Sequence, residues 1–247
     1  MIIALGVTAW DPFMVGRKNW PWIKAMPMAG AATVLLASII IFHPYSAGRP
    51  DGKLHLDILD VGQGDAALVT FPDGTTMLVD GGGRFDYRNE DAGDDGFEPD
   101  IRGIGESVVS EVLWQKGLGG VDYILATHAD ADHIQGLTDI AGNFAVKKAL
   151  IARLPLDDPD FAAFADKVRR RGIATEFVSR GDVLRIGNAV VEVLLPFADE
   201  RPNSVWGNDQ SIVLRITMGT RSFLLTGDIE SAAERELTAG GGTLRAN

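Results

Sequence analysis

The spacing of hydrophobic and polar positions changes character several times along the chain. Leu54-His55-Leu56-Asp57-Ile58-Leu59 alternates with period two, which predicts a strand with one buried face. His55 and Asp57 share its polar face, so His55 reads as a solvated side chain. Residues 66–71 and 76–80 predict two further strands, joined by Pro72-Asp73-Gly74-Thr75, whose residue types suit a tight hairpin turn. Gly81-Gly82-Gly83 stops the second strand, and residues 84–99 read as an acidic, glycine-rich surface loop. Helical spacing returns over 105–116 through Val108, Val109, Val112 and Leu113, with Gly117 as the stop. Residues 123–127 then form a short apolar strand that runs into a polar cluster. Beyond it the pattern predicts helices over 134–140, 160–171 and 230–237. It predicts extended segments at 149–151, 175–178, 183–186, 190–195, 211–217 and 222–226. Strands separated mostly by turns, with helices interspersed, imply an α/β layered-sheet protein rather than a bundle or a β-sandwich.

The first 50 residues differ from the rest. From Ala25 to Phe42 there is no charge after Lys24, and the run through Val34, Leu35, Leu36, Ile39, Ile40 and Ile41 is its most apolar part. This length is near the lower limit for crossing about 30 Å of hydrocarbon. Pro27 suits a first helical turn, His43-Pro44-Tyr45 ends the run, and Trp10, Trp20 and Trp22 lie upstream as interface anchors. The expectation is one transmembrane helix at about 25–42 within an N-terminal segment 1–50, ahead of a domain spanning 51–247. A buried core helix competes with it, as does a secretory signal leaving at Ser46-Ala47-Gly48, though signals begin closer to the N-terminus. Ala47-Gly48-Arg49-Pro50-Asp51-Gly52 reads as a linker. Arg17, Lys18 and Lys24 precede the apolar run, and Arg49 and Lys53 follow it. That one-charge margin favours a cytoplasmic N-terminus and an exported body.

Composition narrows the chemistry. The chain has 247 residues, a net charge of −11, 46 % hydrophobic residues and no cysteine. Without cysteine there is no disulfide framework and no thiolate zinc site, so a metal must be held by histidine and carboxylate. The chain has only four histidines. Two of them lie in Thr127-His128-Ala129-Asp130-Ala131-Asp132-His133, directly after the apolar strand. A solvated acidic turn explains one Asp or two, but not two His flanking two Asp there. A loop at a strand end turns such side chains inward together, and Zn, Mn or Fe(II) accepts that N/O mixture. Phe223-Leu224-Leu225-Thr226-Gly227-Asp228 repeats the device, an apolar strand ending in Gly and a carboxylate, and Asp228 is read as a further ligand. The competing reading for Asp228 is a helix N-cap, and Asp80, at the end of another apolar strand, is equally ambiguous. Asp60-Val61-Gly62-Gln63-Gly64-Asp65 is either a functional glycine turn or an ordinary strand connection.

Taken together these segments resemble the metallo-β-lactamase fold. The His128-x-Asp130-x-Asp132-His133 run looks like that superfamily's HxHxDH motif with Asp130 in place of the second His, and Asp228 matches its metal-bridging Asp. More narrowly, five ordered segments resemble the C-terminal hydrolase domain of the ComEC family of DNA-internalisation competence proteins. They are Leu59–Ala66, Val79–Gly82, Thr127–His133, Asn208–Leu214 and Leu224–Glu230. The resemblance implies an αββα sandwich, incomplete at its C-terminus, preceded by the transmembrane helix. It implies two divalent ions, Zn or Mn, with His128 and Asp130 on one, Asp132 and His133 on the other, and Asp228 bridging. It also implies catalytic roles for Asp132, Asp65 and Asn208. The function it implies is that of a membrane-tethered phosphodiesterase or DNase acting on incoming DNA beside other parts of a competence channel. The domain would stand on the outer side of a bacterial plasma membrane. A non-catalytic docking scaffold and a stand-alone hydrolase of small esters or lactams are the alternatives. The family places a His-rich motif beyond the strand that would begin at 241–247, so the sequence reads as a piece of a longer protein. The acidity of the body argues against a grip on phosphates. The one basic run, Lys167, Arg169, Arg170 and Arg171, has an ordinary explanation as a helix C-terminus.

Overall fold

A computed structural model of the chain describes residues 21–42, 50–83, 103–152, 158–197 and 207–239. They fall in two units, 1–45 and 46–247. The predicted acidic loop at 84–99 lies outside the described residues.

In the first unit, helix α1 runs Pro21–Phe42. Among its described side chains Val34, Leu35, Leu36, Ile39 and Ile40 are exposed. The expected membrane crossing is not supported. Among the described residues no helix is long and apolar enough to cross a membrane. A helix does form over the predicted stretch, but it starts at Pro21, so Pro27 lies inside it and not in its first turn as expected.

The second unit is two sheets. The first holds six strands in the order β1 (His55–Ile58), β2 (Ala67–Thr70), β3 (Thr76–Val79), β4 (Gly120–Ala126), β5 (Ala145–Ile151) and β6 (Ala174–Phe177). The first three pair antiparallel, and β3 to β6 are parallel. The second sheet is antiparallel. It contains β7 (Val183–Ile186), β8 (Ala189–Leu195), β9 (Val213–Met218) and β10 (Arg221–Leu225), in the order β10-β9-β8-β7. Alternate residues of β8 (Val191, Val193) and β9 (Leu214, Ile216) join Leu68, Met77, Leu78 and Ile124 of the first sheet in one core. Period-two burial on β8 is what a half-covered antiparallel strand requires. The central β4 is buried through Ile124, Leu125 and Ala126, as a parallel strand covered on both faces should be.

Helices cover the outer faces. A π-helical turn, Gly105–Val109, leads into α2 (Ser110–Gln115). Helix α3 (Ala131–Asn143) buries Ile134, Leu137, Ile140 and Ala141 at helical spacing. Helix α4 (Pro159–Arg170) starts on an Asp158 cap, whose carboxylate accepts from the Phe161 N–H at 2.8 Å, with Pro159 at the first helical position. The basic run closes α4, where Arg169 and Arg170 both pair with Asp166. Helix α5 (Ser231–Ala239) packs Ala233 and Leu237 on Leu195 and Val213 of the second sheet. This is the expected αββα layering.

Candidate metal centre

The site forms where β4 ends and α3 begins, and one elementary constraint shapes it. A helix N-terminus carries unsatisfied N–H groups and a partial positive charge, so it favours acidic residues in its first turn. Asp130, with extended φ −61° and ψ 141°, is the capping residue, and Asp132 lies in the first turn. The pattern placed Asp132 and His133 in a loop with helix only from 134. The helix instead begins at Ala131, so both residues sit on a rigid turn. His133 therefore falls on the buried stripe of α3, spaced with Leu137 and Ile140, and it is 1 % exposed.

The backbone seat of that turn explains the glycine segments. The N–H of Gly81 donates to the carbonyl of His133 at 2.8 Å, and that of Gly136 to the carbonyl of Gly82 at 2.9 Å. A Cβ on Gly136 would lie 1.8 Å from the Gly81 oxygen, and one on Gly64 would lie 1.7 Å from the Asp132 oxygen. Neither position admits a side chain while α3 stays where it is.

Two buried imidazoles face each other, with ring centroids of His128 and His133 4.1 Å apart. Asp80 organises both. It is 1 % exposed, has a left-handed φ of 56°, and receives three hydrogen bonds. Its Oδ1 accepts from the Thr127 N–H at 2.8 Å. Its Oδ2 accepts from the Thr127 hydroxyl at 2.6 Å and from His133 Nδ1 at 3.1 Å. Because the Thr127 hydroxyl spends its proton on Asp80, its oxygen is left as acceptor for His128 Nδ1, 2.9 Å away. The network thus assigns a proton to Nδ1 of both rings and turns both Nε2 atoms toward the site. Both Nε2 atoms are buried and have no hydrogen-bond partner. Asp228 Oδ2 lies 3.4 Å from His133 Nε2, and Asp130 Oδ2 lies 3.8 Å from His128 Nε2.

The electrostatics follow from this arrangement. Burial acts to depress His133, but the hydrogen bond and charge of Asp80, with the charges of Asp228 and Asp132, overcome it and push the imidazole up to about 9. Burial and the neighbouring His133 hold His128 below the ordinary histidine value, partly offset by Asp80, Asp130 and Asp228. The pair therefore shares its charge unequally.

The predicted site residues divide as follows. His128, His133 and Asp228 come together, with one ligand atom from each within 4.8 Å of the others. Asp130 stands beside them at His128. Asp132 contributes charge to His133 from the first turn of α3 but lies outside that three-residue cluster. Asp65 is exposed and lines, with Asp80, Thr127 and Gly227, a cavity of about 150 Å³ next to the centre. Asn208 sits in a 3₁₀ turn, where its amide Nδ2 donates to Glu230 Oε1 at 3.3 Å. It latches two segments together. The sequence reading left Asp80 ambiguous and assigned nothing to the Thr127 hydroxyl. The available signal was a polar residue at the end of each of two adjacent apolar strands, β3 and β4.

These donors fit a divalent cation. Two imidazole nitrogens with their other N–H already engaged, plus carboxylate oxygens, form a borderline N/O set, and the two orphaned buried Nε2 atoms are costly unless something binds them. The family model for the metallo-β-lactamase superfamily matches residues 59–246. The chain belongs to the metallo-β-lactamase superfamily. Sites of this fold hold divalent metals, usually two, and the His/Asp cluster stands where this chain would hold them. The chain is also 33 % identical over 183 residues to ComE operon protein 3 of Bacillus subtilis, covering 74 % of this chain and 23 % of that protein. It thus spans about a quarter of that relative's length. Among solved structures it is similar to CmlA, a diiron β-hydroxylase from Streptomyces venezuelae (20 % identity, TM-score 0.44, 77 % of this chain and 33 % of that one). It is similar too to a metallo-β-lactamase from Staphylococcus aureus (14 % identity, TM-score 0.41, 71 % and 44 %).

Proposed function

We propose that this chain is the hydrolase domain of a DNA-uptake protein and cleaves phosphodiester bonds in DNA with divalent ions, Zn or Mn. The observation that carries the metal-dependent part is the pair of buried, unpartnered Nε2 atoms of His128 and His133 facing Asp228. The DNA part is supported by the five ordered motifs and by the relation to ComE operon protein 3. His128, His133 and Asp228 would hold the ions, with Asp130 and Asp132 as additional carboxylates. Bound ions of this kind supply hydroxide at neutral pH and neutralise charge on a reacting phosphate. The chain's own part is positional. Asp80 fixes the Nδ1 proton of His133 directly and that of His128 through Thr127, so Nε2 of each ring is the atom left to face an ion. Asp228 holds its carboxylate at the open side of the pair, where it is 42 % exposed and reachable by solvent.

The test is hydrolysis of single- and double-stranded DNA by the purified chain with Mn²⁺ or Zn²⁺, with and without chelator. Metal-dependent cleavage that His133→Ala abolishes is the expected result. Cleavage that survives both chelator and His133→Ala would overturn the proposal. A second reading, hydrolysis of small esters, is favoured by the acidic surroundings of the centre (Asp65, Asp130, Asp132, Asp228), which repel a polyanion. Metal-dependent turnover of a neutral aryl ester with none of DNA would select it. Membrane attachment belongs to the same proposal. The exposed apolar side chains of α1 suit a lipid surface, and flotation with anionic vesicles, lost on deleting residues 1–45, is the expected outcome.

A further inference from the structure

Among the described residues, three buried side-chain polar atoms have no hydrogen-bond partner. Two are the metal-facing nitrogens of His128 and His133. The third is the hydroxyl of Ser211, a residue that is 0 % exposed. Protein interiors rarely leave a hydroxyl unpaired, since alanine would fill the same space without the loss.

The position of Ser211 connects the third orphan to the first two. It stands just ahead of β9, where the next residue, Ile212, donates its N–H to the carbonyl of Thr127 at 2.9 Å. That bond ties β9 to the strand end carrying His128. Its side chain also lies against Gly227, the residue before Asp228. A Cβ built on Gly227 would fall 3.1 Å from Ser211 Cβ and 3.1 Å from Thr127 Cβ, and Gly227 has a left-handed φ of 52°. The segment around Ser211 is fastened to the segment around Asp228 from the other side as well. Asp209 Oδ1 accepts from the N–H of Glu230 at 2.9 Å and of Ala233 at 3.2 Å, and Asn208 donates to Glu230. Ser211 is thus held beside the backbone that carries Asp228, within a clamp built from two polar latches.

We propose that Ser211 is a positioning residue of the metal centre, its hydroxyl donating to the Asp228 carboxylate when that carboxylate takes up an ion. This rests on the metal-binding reading above. A carboxylate ligand with a hydrogen-bond donor on its second oxygen is held in one orientation and loses less freedom on binding. Asp228 Oδ2 lies 3.4 Å from His133 Nε2, and neither that nitrogen nor the Ser211 hydroxyl has a hydrogen-bond partner.

The experiment is calorimetric titration of the full metal-free chain with Mn²⁺, wild type against Ser211→Ala, with the thermal melt of each metal-free protein in parallel. Ser211→Ala is expected to melt at or above the wild-type temperature, because it removes an orphaned hydroxyl. It is expected to bind Mn²⁺ roughly tenfold or more weakly. With Co²⁺ as probe, its visible absorption should change in intensity or position, which a packing role would not produce. In an Asp228→Ala background, Ser211→Ala should have no further effect on Mn²⁺ affinity. Mn²⁺ binding by Ser211→Ala that superimposes on wild type overturns the proposal and leaves the metal-binding reading intact. A further loss in the Asp228→Ala background overturns it too, since the hydroxyl would then act elsewhere. Absence of Mn²⁺, Zn²⁺ and Co²⁺ binding by wild type overturns both.

Discussion

Asp80→Asn probes the centre without touching a proposed ligand. The two side chains are nearly the same size, and asparagine tolerates the left-handed backbone at this position, so the turn after β3 survives. The amide oxygen still accepts from the Thr127 N–H. What changes is the second atom: Oδ2, which accepts from the Thr127 hydroxyl and His133 Nδ1, becomes an NH₂ donor. Two donors then face each other, and His133 can relieve the conflict only by moving its proton to Nε2, the atom that must be bare to bind an ion. The loss of one charge-assisted hydrogen bond and of the negative partner of a buried imidazole costs about 3 kcal/mol. Urea unfolding of the metal-free chain, followed by circular dichroism, reads that loss. Mn²⁺ affinity, read by calorimetry, should fall about 10- to 100-fold. Imidazole nitrogen NMR should show His133 titrating well below 9. Wild-type Mn²⁺ affinity in Asp80→Asn, with His133 still titrating near 9, would refute the assignment of tautomers by Asp80. Asp80→Ala should be more damaging, because it strands the Thr127 N–H as well and puts an ordinary residue into a left-handed turn.

In the metal-free chain His133 is raised from an ordinary 6.5 to about 9. The stability it contributes is therefore fully present below about pH 6.5 and is lost as pH rises through 9, which melting curves from pH 6 to 10 will show. Below pH 9 an ion must displace that proton, so Mn²⁺ affinity should rise with pH up to 9, by at most tenfold per unit for the one proton released. Gly136→Ala should gain about 1 kcal/mol from helix propensity but lose about 3 kcal/mol or more from the clash with Gly81, a net destabilisation that denaturant unfolding detects. Asp122 accepts from the Thr76 N–H and hydroxyl and pairs with Lys147. Burial tends to raise it, but these partners hold it below the usual carboxylate range. Its contribution is present above about pH 4 and lost as pH falls through its folded value, so Asp122→Ala should cost about 1–3 kcal/mol at pH 7 and less in acid.

Most of the layering was legible because the strands alternate or run apolar, and because β4 ends in a dense ligand cluster. His128, His133 and Asp228 were named from residue type and position alone, and the structure brings them within reach of one another. The helix start at Ala131 was missed, since Asp130, Asp132 and His133 break the apolar periodicity in the first turn, where a helix N-terminus favours acidic residues. The transmembrane reading rested on an uncharged run near the lower length limit, and among the described residues no helix is long and apolar enough to support it. Asn208 was read as functional from its motif position; its hydrogen bond to Glu230, a partner 22 residues away, is a contact no local pattern reveals. Ser211 could not have been assigned, because its significance lies in an unpaired buried hydroxyl, which exists only once the chain is folded.

The glycine seat beneath α3 couples two properties usually treated apart. Asp132 and His133 are carried by backbone that touches backbone at Gly64, Gly81 and Gly136, with no side chain between them to yield. A scan for inactivating substitutions would therefore score these glycines as severely as the histidines, although none of them offers an atom to an ion or a substrate. The cavity wall at Ile58 and Leu225 is built differently, from side chains on β1 and β10 and not from the backbone contacts that seat the ligand-bearing turn.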